Sequence, residues 1–529
     1  MTAADSQAEA IAFLSRPGTY GAGVAGVRRI ETHISVVFLA GDRAFKLKKA
    51  VRYPYLDFST LEKRRAACEA EIAVNRRTAP MIYRRVVRLS RGPGGSLSLG
   101  GEGAPVEWLV EMARFDESGL FDRLARNGML ERHRIEELAE TVAGFHRDAE
   151  QKRDADSAAN LAQTIAGNAA SMAGPAGGAF AAEAITRLKE LSDARLAALR
   201  PLLDRRRERG LVRRCHGDLH LGNICLIDGR PVLFDAIEFN ETFAVIDVLY
   251  DAAFLAMDLD HLGARRLASQ FLNRYLDAIG DDEGLAALPL FLSLRAAIRA
   301  HVGATAARAF PDPAEAHTRR AEARRYLEEA FAYLEPGGAR LIAVGGLSGS
   351  GKSRLACELA PWIGAAPGAR VVRSDVVRKQ LAGVGLHDRL GPGGYSAEMT
   401  TRTFAELDRR VEEALRIGRP VVADAVFARP EERDRLARIA QACGVPFDGL
   451  WLEADPALME RRLAERVADV SDATVEVLRR QQTYDLGHVE WTRIDSGGTR
   501  EGTLAKTLAA LGLMPLSRDS GRGKGPGPG

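Results

Sequence analysis

Two stretches of the chain set chemically capable residues at tight spacing. The first is His216-Gly217-Asp218-Leu219-His220-Leu221-Gly222-Asn223, followed by Val232-Leu233-Phe234-Asp235. Asp218 and Asn223 lie five apart, and Asp235 ends an apolar run. Moving a phosphoryl group to a hydroxyl calls for such a set. One carboxylate orients and deprotonates the acceptor, while an amide oxygen and a second carboxylate hold Mg²⁺ against the phosphates. Hard oxygen ligands suit Mg²⁺ better than sulfur does, which leaves Cys215 and Cys225 to the core. The second stretch, Gly346-Leu347-Ser348-Gly349-Ser350-Gly351-Lys352-Ser353, fits G-x-x-x-x-G-K-[ST] in full. Gly346, Ser348, Gly349, Ser350 and Gly351 would line a cradle whose glycines turn backbone N–H groups toward a phosphate. The following helix adds its positive N-terminus. Lys352 would reach the β/γ-phosphates and the Ser353 hydroxyl would ligate Mg²⁺.

Two more carboxylates end apolar runs near this loop: Asp375 after Arg370-Val371-Val372-Arg373-Ser374, with Arg378 one turn on, and Asp424 after Pro420-Val421-Val422-Ala423. Ligands of open parallel sheets bind beyond the carboxyl ends of the strands. Both aspartates are therefore expected beside the loop, one on the metal and one taking a proton from a substrate hydroxyl. The alternative for each is a helix N-cap. Farther on, Arg461, Arg462 and Arg466 share a helical segment, and Arg462 and Arg466 are four apart on one face. They read either as a clamp on the transferring phosphoryl group or as a solvated basic face.

The elements that must carry these residues fall into two patterns. Residues 27–48, 82–90 and 106–112 are strand-like, with one charged helical segment at 60–77. From Ser118 onward the pattern is mostly helical, softened around Gly174-Pro175-Ala176-Gly177-Gly178. After Glu335-Pro336-Gly337-Gly338 strands and helices alternate, which predicts βαβ units and a parallel sheet. The expected organisation is 1–115 small lobe, 116–335 large lobe, 336–339 linker, 340–515 α/β domain and 516–529 disordered tail.

At 529 residues the chain holds roughly three folding units of about 150 each. Lys+Arg 74 against Asp+Glu 71 leaves +3, which argues against a dominant nucleic-acid surface. Apolar residues make up 46 %, enough for sizeable cores. The 5 cysteines are scattered and lack metal-ligand or disulfide spacing. No apolar run reaches the ~18 residues of a membrane span. The N-terminus lacks a basic leader before a long apolar core, so a cytoplasmic protein is expected.

The set H-G-D-x-H-x-x-N with Asp235 resembles the aminoglycoside-phosphotransferase and choline-kinase group, which shares the protein-kinase fold, over roughly 25–330. The resemblance implies Asp218 as catalytic base, Asn223 and Asp235 as Mg²⁺ ligands, and Asp247 and Asp251 as structural carboxylates. It also implies a small-lobe lysine on the ATP phosphates and a glutamate to hold it. Lys46 and Lys48 share one strand face. Ala44-Phe45-Lys46 favours Lys46, with Glu71 as partner and Glu69 as alternative. For the phosphate cover, Gly21–Gly26 and Glu31–Ser35 are equal candidates.

Residues 340–512 resemble the small P-loop kinases often labelled AAA-family ATPases. The resemblance rests on the glycine loop, Ser374-Asp375-Val376-Val377-Arg378, Asp424 and the R-x-x-x-R pair. It implies Asp375 on the substrate side and Asp424 on the metal side. The whole chain resembles the bacterial bifunctional aminoglycoside phosphotransferase/ATP-binding proteins. That resemblance is carried by Glu31-Thr32-His33-Ile34-Ser35, Leu56-Asp57-Phe58-Ser59, Glu71–Arg77 and the two motifs. The implied fold is an α+β kinase-like two-lobed domain followed by an α/β P-loop domain with a parallel sheet. The implied function is ATP- and Mg²⁺-dependent phosphoryl transfer to small-molecule hydroxyls. Competing readings make one half a non-catalytic ATP sensor, or the second half a nucleic-acid 5′-hydroxyl kinase. The sequence names no acceptor.

Overall fold

The computed structural model describes residues 3–53, 56–174, 177–308, 312–465 and 470–513. The chain divides into two compact units, one of Met1–Leu262 with Leu294–Arg324, the other of Gly263–Ser293 with Arg325–Gly529.

The first unit begins with strands β1 (Val27–Glu31), β2 (Ser35–Ala40), β3 (Arg43–Lys48), β4 (Arg52–Tyr53), β5 (Leu56–Asp57), β6 (Tyr83–Arg91), β7 (Leu97–Leu99) and β8 (Ala104–Ala113). Six of them form an antiparallel sheet in the order β1-β2-β3-β8-β6-β7. Its two faces follow from strict alternation. Val36, Phe38 and Ala40 of β2 and Phe45 and Leu47 of β3 pack with Ala10 and Leu14 of the N-terminal helix. Lys46 and Lys48 therefore emerge on the opposite face. That face is covered by the helix Leu61–Asn75, started by the Thr60 hydroxyl accepting from the Lys63 N–H at 3.3 Å. The buried Arg64 binds both Glu107 oxygens of β8, at 2.9 and 3.0 Å, and fixes the helix on the sheet.

The larger part of this unit is helical, with short strands β9 (Val212–Arg214), β10 (Ile224–Ile227), β11 (Arg230–Leu233) and β12 (Val245–Asp247). β10 and β11 form a hairpin, and β9 pairs with β12. Cys225 and Val232 of the hairpin join Cys68, Ile72, Tyr83 and Val110 in one apolar cluster, so small sheet and hairpin share a core. Cys215 is fully buried as well. The buried Arg206 clamps Asp247 with two bonds of 2.7 and 2.8 Å, a structural use of that carboxylate.

The second unit is built on a parallel sheet of β13 (Leu341–Gly345), β14 (Arg370–Arg373), β15 (Val421–Asp424), β16 (Phe447–Glu453) and β17 (Thr492–Asp495), in the order β14-β15-β13-β16-β17. Both faces are covered, which is why its strands read as continuous apolar runs. Ile342, Val344, Val371 and Val422 pack against Leu355, Ala356 and Leu359 of the helix after the glycine loop. Leu341, Ala343, Val372 and Val421 face Leu407, Val411 and Leu436 on the other side.

The edge strand β14 is closed by an earlier part of the chain, the helix Arg265–Ile279. Asn273 imitates a neighbouring strand: its Nδ2 donates to Ala369 O at 3.1 Å and its Oδ1 accepts from Val371 N at 2.8 Å. Beside it, buried Arg370 reaches Asp277 at 2.7 Å and Asp282 at 2.6 Å. The sequence places the domain division at the irregular segment 336–339, whereas by contacts 263–293 group with the parallel sheet. The expected tail 516–529 lies outside the described residues.

Candidate active sites

In the first unit the β3 register puts both lysines beside Glu71. Lys46 Nζ donates to Glu71 Oε1 at 2.9 Å and to Asp235 Oδ1 at 2.6 Å. Burial disfavours the Lys46 ammonium, but Asp235 and Glu71 outweigh it and hold the pKa well above the ordinary lysine value. Burial likewise works against the Glu71 carboxylate, and Lys46 and Lys48 overcome it, bringing its pKa down to about 2. Glu69 instead pairs with Arg65 on the exposed helix face. Asp235 adopts φ +62°, a left-handed backbone that re-aims the chain after β11, and its N–H donates to Tyr83 Oη at 3.1 Å.

The loop carrying Asp218 is fixed from below. Asp251, fully buried, accepts from His216 N at 2.9 Å and from Gly217 N at 3.0 Å. Gly217 has φ +85°, and a Cβ there would stand 2.8 Å from Phe243 O. Above, Asn223 Nδ2 donates to Asp218 O at 2.9 Å and Oδ2 at 3.2 Å. The Phe234 N–H donates to Asn223 O at 3.0 Å, which ties the residue before Asp235 to the loop. Asp218 is 42 % exposed at its side chain, and His220 lies 3.5 Å from it. Desolvation would raise the Asp218 pKa; His220, His216 and Arg299 reverse that and hold the carboxyl well below its usual range. An ionised Asp218 is the form that can accept a proton. The β1–β2 turn is Thr32-His33-Ile34, whereas Gly21–Gly26 precede β1. Of the two candidate phosphate covers, only Glu31–Ser35 spans a turn between strands of the sheet, because Glu31 pairs with Val36 across it and Thr32 N donates to Ser35 O at 2.9 Å.

In the second unit Gly346, Gly349 and Gly351 have φ of +139°, +82° and +92°. A Cβ on Gly346 would meet Leu452 O at 2.7 Å, and one on Gly349 would meet Met459 O at 2.7 Å. The Ser348 N–H donates to Gln481 Oε1 at 2.8 Å, and Ser496 Oγ donates to Ser350 O at 2.7 Å. Lys352 and Ser353 open the helix Lys352–Leu359. Asp424 ends β15 in register with Val344 and Arg373. It is buried, its Oδ1 has no hydrogen-bond partner, and Arg373 Nε lies 3.4 Å from Oδ2. Burial raises its pKa, opposed by Arg373, Lys352 and the Ser353 hydroxyl bond, which places it beside the loop. An orphaned buried carboxylate oxygen next to a hydroxyl is a donor set that suits Mg²⁺. Asp375 stands in the first turn of the helix Ser374–Leu381. Arg378, on the same helix, donates to Gly394 O at 3.0 Å and lies 5.1 Å from the Tyr395 ring centroid. Arg462 donates to Ser496 O at 2.8 Å and to Gly349 O at 3.5 Å, so it stands against the glycine loop. Arg466 lies outside the described residues.

Three participants had no motif. Glu238 binds Lys48, Gln481 holds a loop amide, and Arg373 neighbours Asp424. Glu238 alone carries a local signal, three residues after Asp235.

The family model described as "Phosphotransferase enzyme family" matches residues 109–288, and the one described as "AAA domain" matches 341–484. The chain is 31 % identical over 488 residues to the uncharacterized protein Rv2004c of Mycobacterium tuberculosis, covering 90 % of this chain and 93 % of that one. Mb2027c of Mycobacterium bovis matches to the same extent, 31 % over 488 residues. Among solved structures, a choline/ethanolamine kinase family protein from Mesorhizobium loti is 15 % identical, over 62 % of this chain and 98 % of that one, with TM-score 0.36. A gluconokinase from Sinorhizobium meliloti is 21 % identical, over 34 % of this chain and 92 % of that one, with TM-score 0.25. Among the described residues no helix is long and apolar enough to cross a membrane. The chain belongs to one family with Rv2004c and Mb2027c, and is a kinase-type phosphotransferase in which a phosphotransferase-family domain is followed by an AAA-type P-loop domain.

Proposed function

We propose that each unit binds Mg·ATP and transfers its γ-phosphoryl group to a hydroxyl of a small molecule. What supports this reading is that the first unit bonds Lys46 to Glu71 and Asp235, and Asn223 to Asp218, while the second sets the orphaned oxygen of Asp424 beside Lys352 and Ser353 at the end of the glycine loop. In the first unit Lys46, held by Glu71, is the lysine for the phosphates. Asn223 uses Nδ2 on Asp218, which leaves its Oδ1 to face a cation together with Asp235. Asp218 accepts the proton of the acceptor hydroxyl, and Asn223 keeps it aimed. In the second unit the backbone amides of Gly349 and Gly351 and the Lys352 ammonium receive the phosphates. Ser353 and Asp424 supply oxygens for the cation, Asp375 takes the acceptor proton, and Arg462 faces the transferred group. Mg²⁺, when bound, neutralises charge on the phosphate oxygens. The acceptor in the second unit would enter past the segment 386–395, which Asp472 holds through Leu390 N at 2.9 Å and Tyr395 Oη at 3.2 Å.

The test is transfer from [γ-³²P]ATP by the full-length chain across sugars, aminoglycosides, nucleosides and oligonucleotides. Asp218→Asn should remove one set of labelled products and Lys352→Ala another. Full retention of every product in both variants would refute the reading. Loss of products in only one variant would leave the other unit as a nucleotide sensor.

A further inference from the structure

Lys48 and Glu238 have no role in the scheme above, yet they complete its most buried part. Lys48 Nζ donates to the second oxygen of Glu71 at 2.6 Å and also to Glu238. Lys46 occupies the first oxygen of Glu71 and continues to Asp235. Asp235 and Glu238 stand three residues apart on one segment. The series Asp235–Lys46–Glu71–Lys48–Glu238 therefore closes on itself through the backbone. Its two halves differ in access. Asp235 is 42 % and Lys46 12 % exposed at the side chain, whereas Lys48 is 2 %, Glu238 5 % and Glu71 0 % exposed. Only the Lys46–Asp235 half can meet a ligand. The closed half is walled by Phe58, whose ring centroid is 5.0 Å from Lys48 Nζ. Asn75 adds a second tie between the same elements, accepting from Ala236 N at 2.7 Å and donating to Glu71 O at 3.0 Å.

Lys46 bonds Asp235 directly, so both change partners when a nucleotide and its cation arrive. A glutamate held by one lysine could follow that lysine or swing away. Glu71 is held by two, and the second is anchored to the segment that bears Asp235. We infer that Lys48 and Glu238 are positioning residues of the first unit, locking Glu71 and the Asp235 segment so that Lys46 stays aimed while it exchanges Asp235 for phosphate. This rests on the nucleotide-binding reading of that unit. A buried charge pair can fix one arrangement, and a fixed arrangement lowers the ordering cost of binding.

The experiment is calorimetric titration of the full-length chain with Mn·ATP, in a Lys352→Ala background that removes the other site. Glu238→Gln keeps the shape and one hydrogen bond to Lys48, and Lys48 keeps Glu71, so it should still fold, with a melting temperature only a few degrees lower. Its ATP affinity should fall on the order of tenfold, as misplacement of a binding group does. Lys48→Met should lose at least as much, and Glu238→Asp, which keeps the charge in a smaller side chain, should recover to within about threefold. Folded Glu238→Gln binding ATP within about twofold of its parent would overturn the inference. Lys46→Met is the control for the site itself: unchanged binding in that variant would refute the nucleotide site, and this inference with it.

Discussion

Asp251→Asn tests how the loop that carries Asp218 is held. The carboxylate accepts two backbone N–H bonds, at 2.9 Å from His216 and 3.0 Å from Gly217, and faces His146 Nε2 at 3.2 Å. The asparagine keeps the shape and one acceptor oxygen, but turns an NH₂ toward the other amide. A charge-assisted bond is worth about 1.5–3 kcal/mol and an unsatisfied buried donor costs about 1–3 kcal/mol. These overlap, so the expected loss is about 3 kcal/mol. Such a loss leaves a domain of about 5–15 kcal/mol folded. Arg295, whose Nη2 lies 3.6 Å from Asp251 Oδ1, remains partly held, since it also donates to Gly217 O at 3.0 Å and Tyr250 O at 3.1 Å. Urea unfolding should show the loss, and the His216 and Gly217 amides should exchange faster. Phosphoryl transfer by the first unit should fall about tenfold or more through misplacement of Asp218. Stability within about 0.5 kcal/mol of the parent, with unchanged exchange at those amides, would refute the reasoning.

Gly349→Ala should abolish nucleotide binding in the second unit, because its Cβ would meet Met459 O at 2.7 Å. Gly351→Ala would meet only Arg462 Nη1, at 4.0 Å, and bears mainly the left-handed strain of about 1–2 kcal/mol, so equilibrium binding should separate the two variants. Arg370→Met strands Asp277 and Asp282 and should destabilise the second unit by about 3–5 kcal/mol in denaturant unfolding. Adding Asp277→Asn and Asp282→Asn should return part of that. A fragment beginning at Pro336 lacks the helix Arg265–Ile279 and should melt lower than the same unit in the full chain. Burial lowers the His301 pKa from 6.5 to about 4, so the fold favours its neutral ring. That contribution is complete above pH 6.5 and is lost as the pH falls through 4, up to about 3 kcal/mol. His301→Gln should flatten the acid limb of the stability profile by this amount.

The two motifs were legible because their residues are contiguous and their chemistry dictates spacing. The P-loop follows its strand and opens its helix, and Asp424 ends the strand beside it. Alternation also told that Lys46 and Lys48 share a face. Alternation alone could not choose between them, because Asp235, which Lys46 meets, lies 189 residues away; the local pattern Ala44-Phe45-Lys46 was what pointed to Lys46. The role of Glu238 was hidden for the same reason, since its partner is 190 residues away. The helix Arg265–Ile279 reads as an ordinary amphipathic helix; only its Asn273 and Asp277 meeting β14 reveal which sheet it completes. The break at 336–339 has the composition of a linker, but composition cannot show an earlier segment docking across it.

The central claim is that one polypeptide holds two independent Mg·ATP sites. Calorimetric titration of the full-length chain with Mg·ATP measures their number directly. The account predicts two equivalents bound by the parent, one by Asp235→Asn, one by Lys352→Ala and none by the double variant. A parent that binds a single equivalent, or a stoichiometry that neither substitution changes, would contradict it.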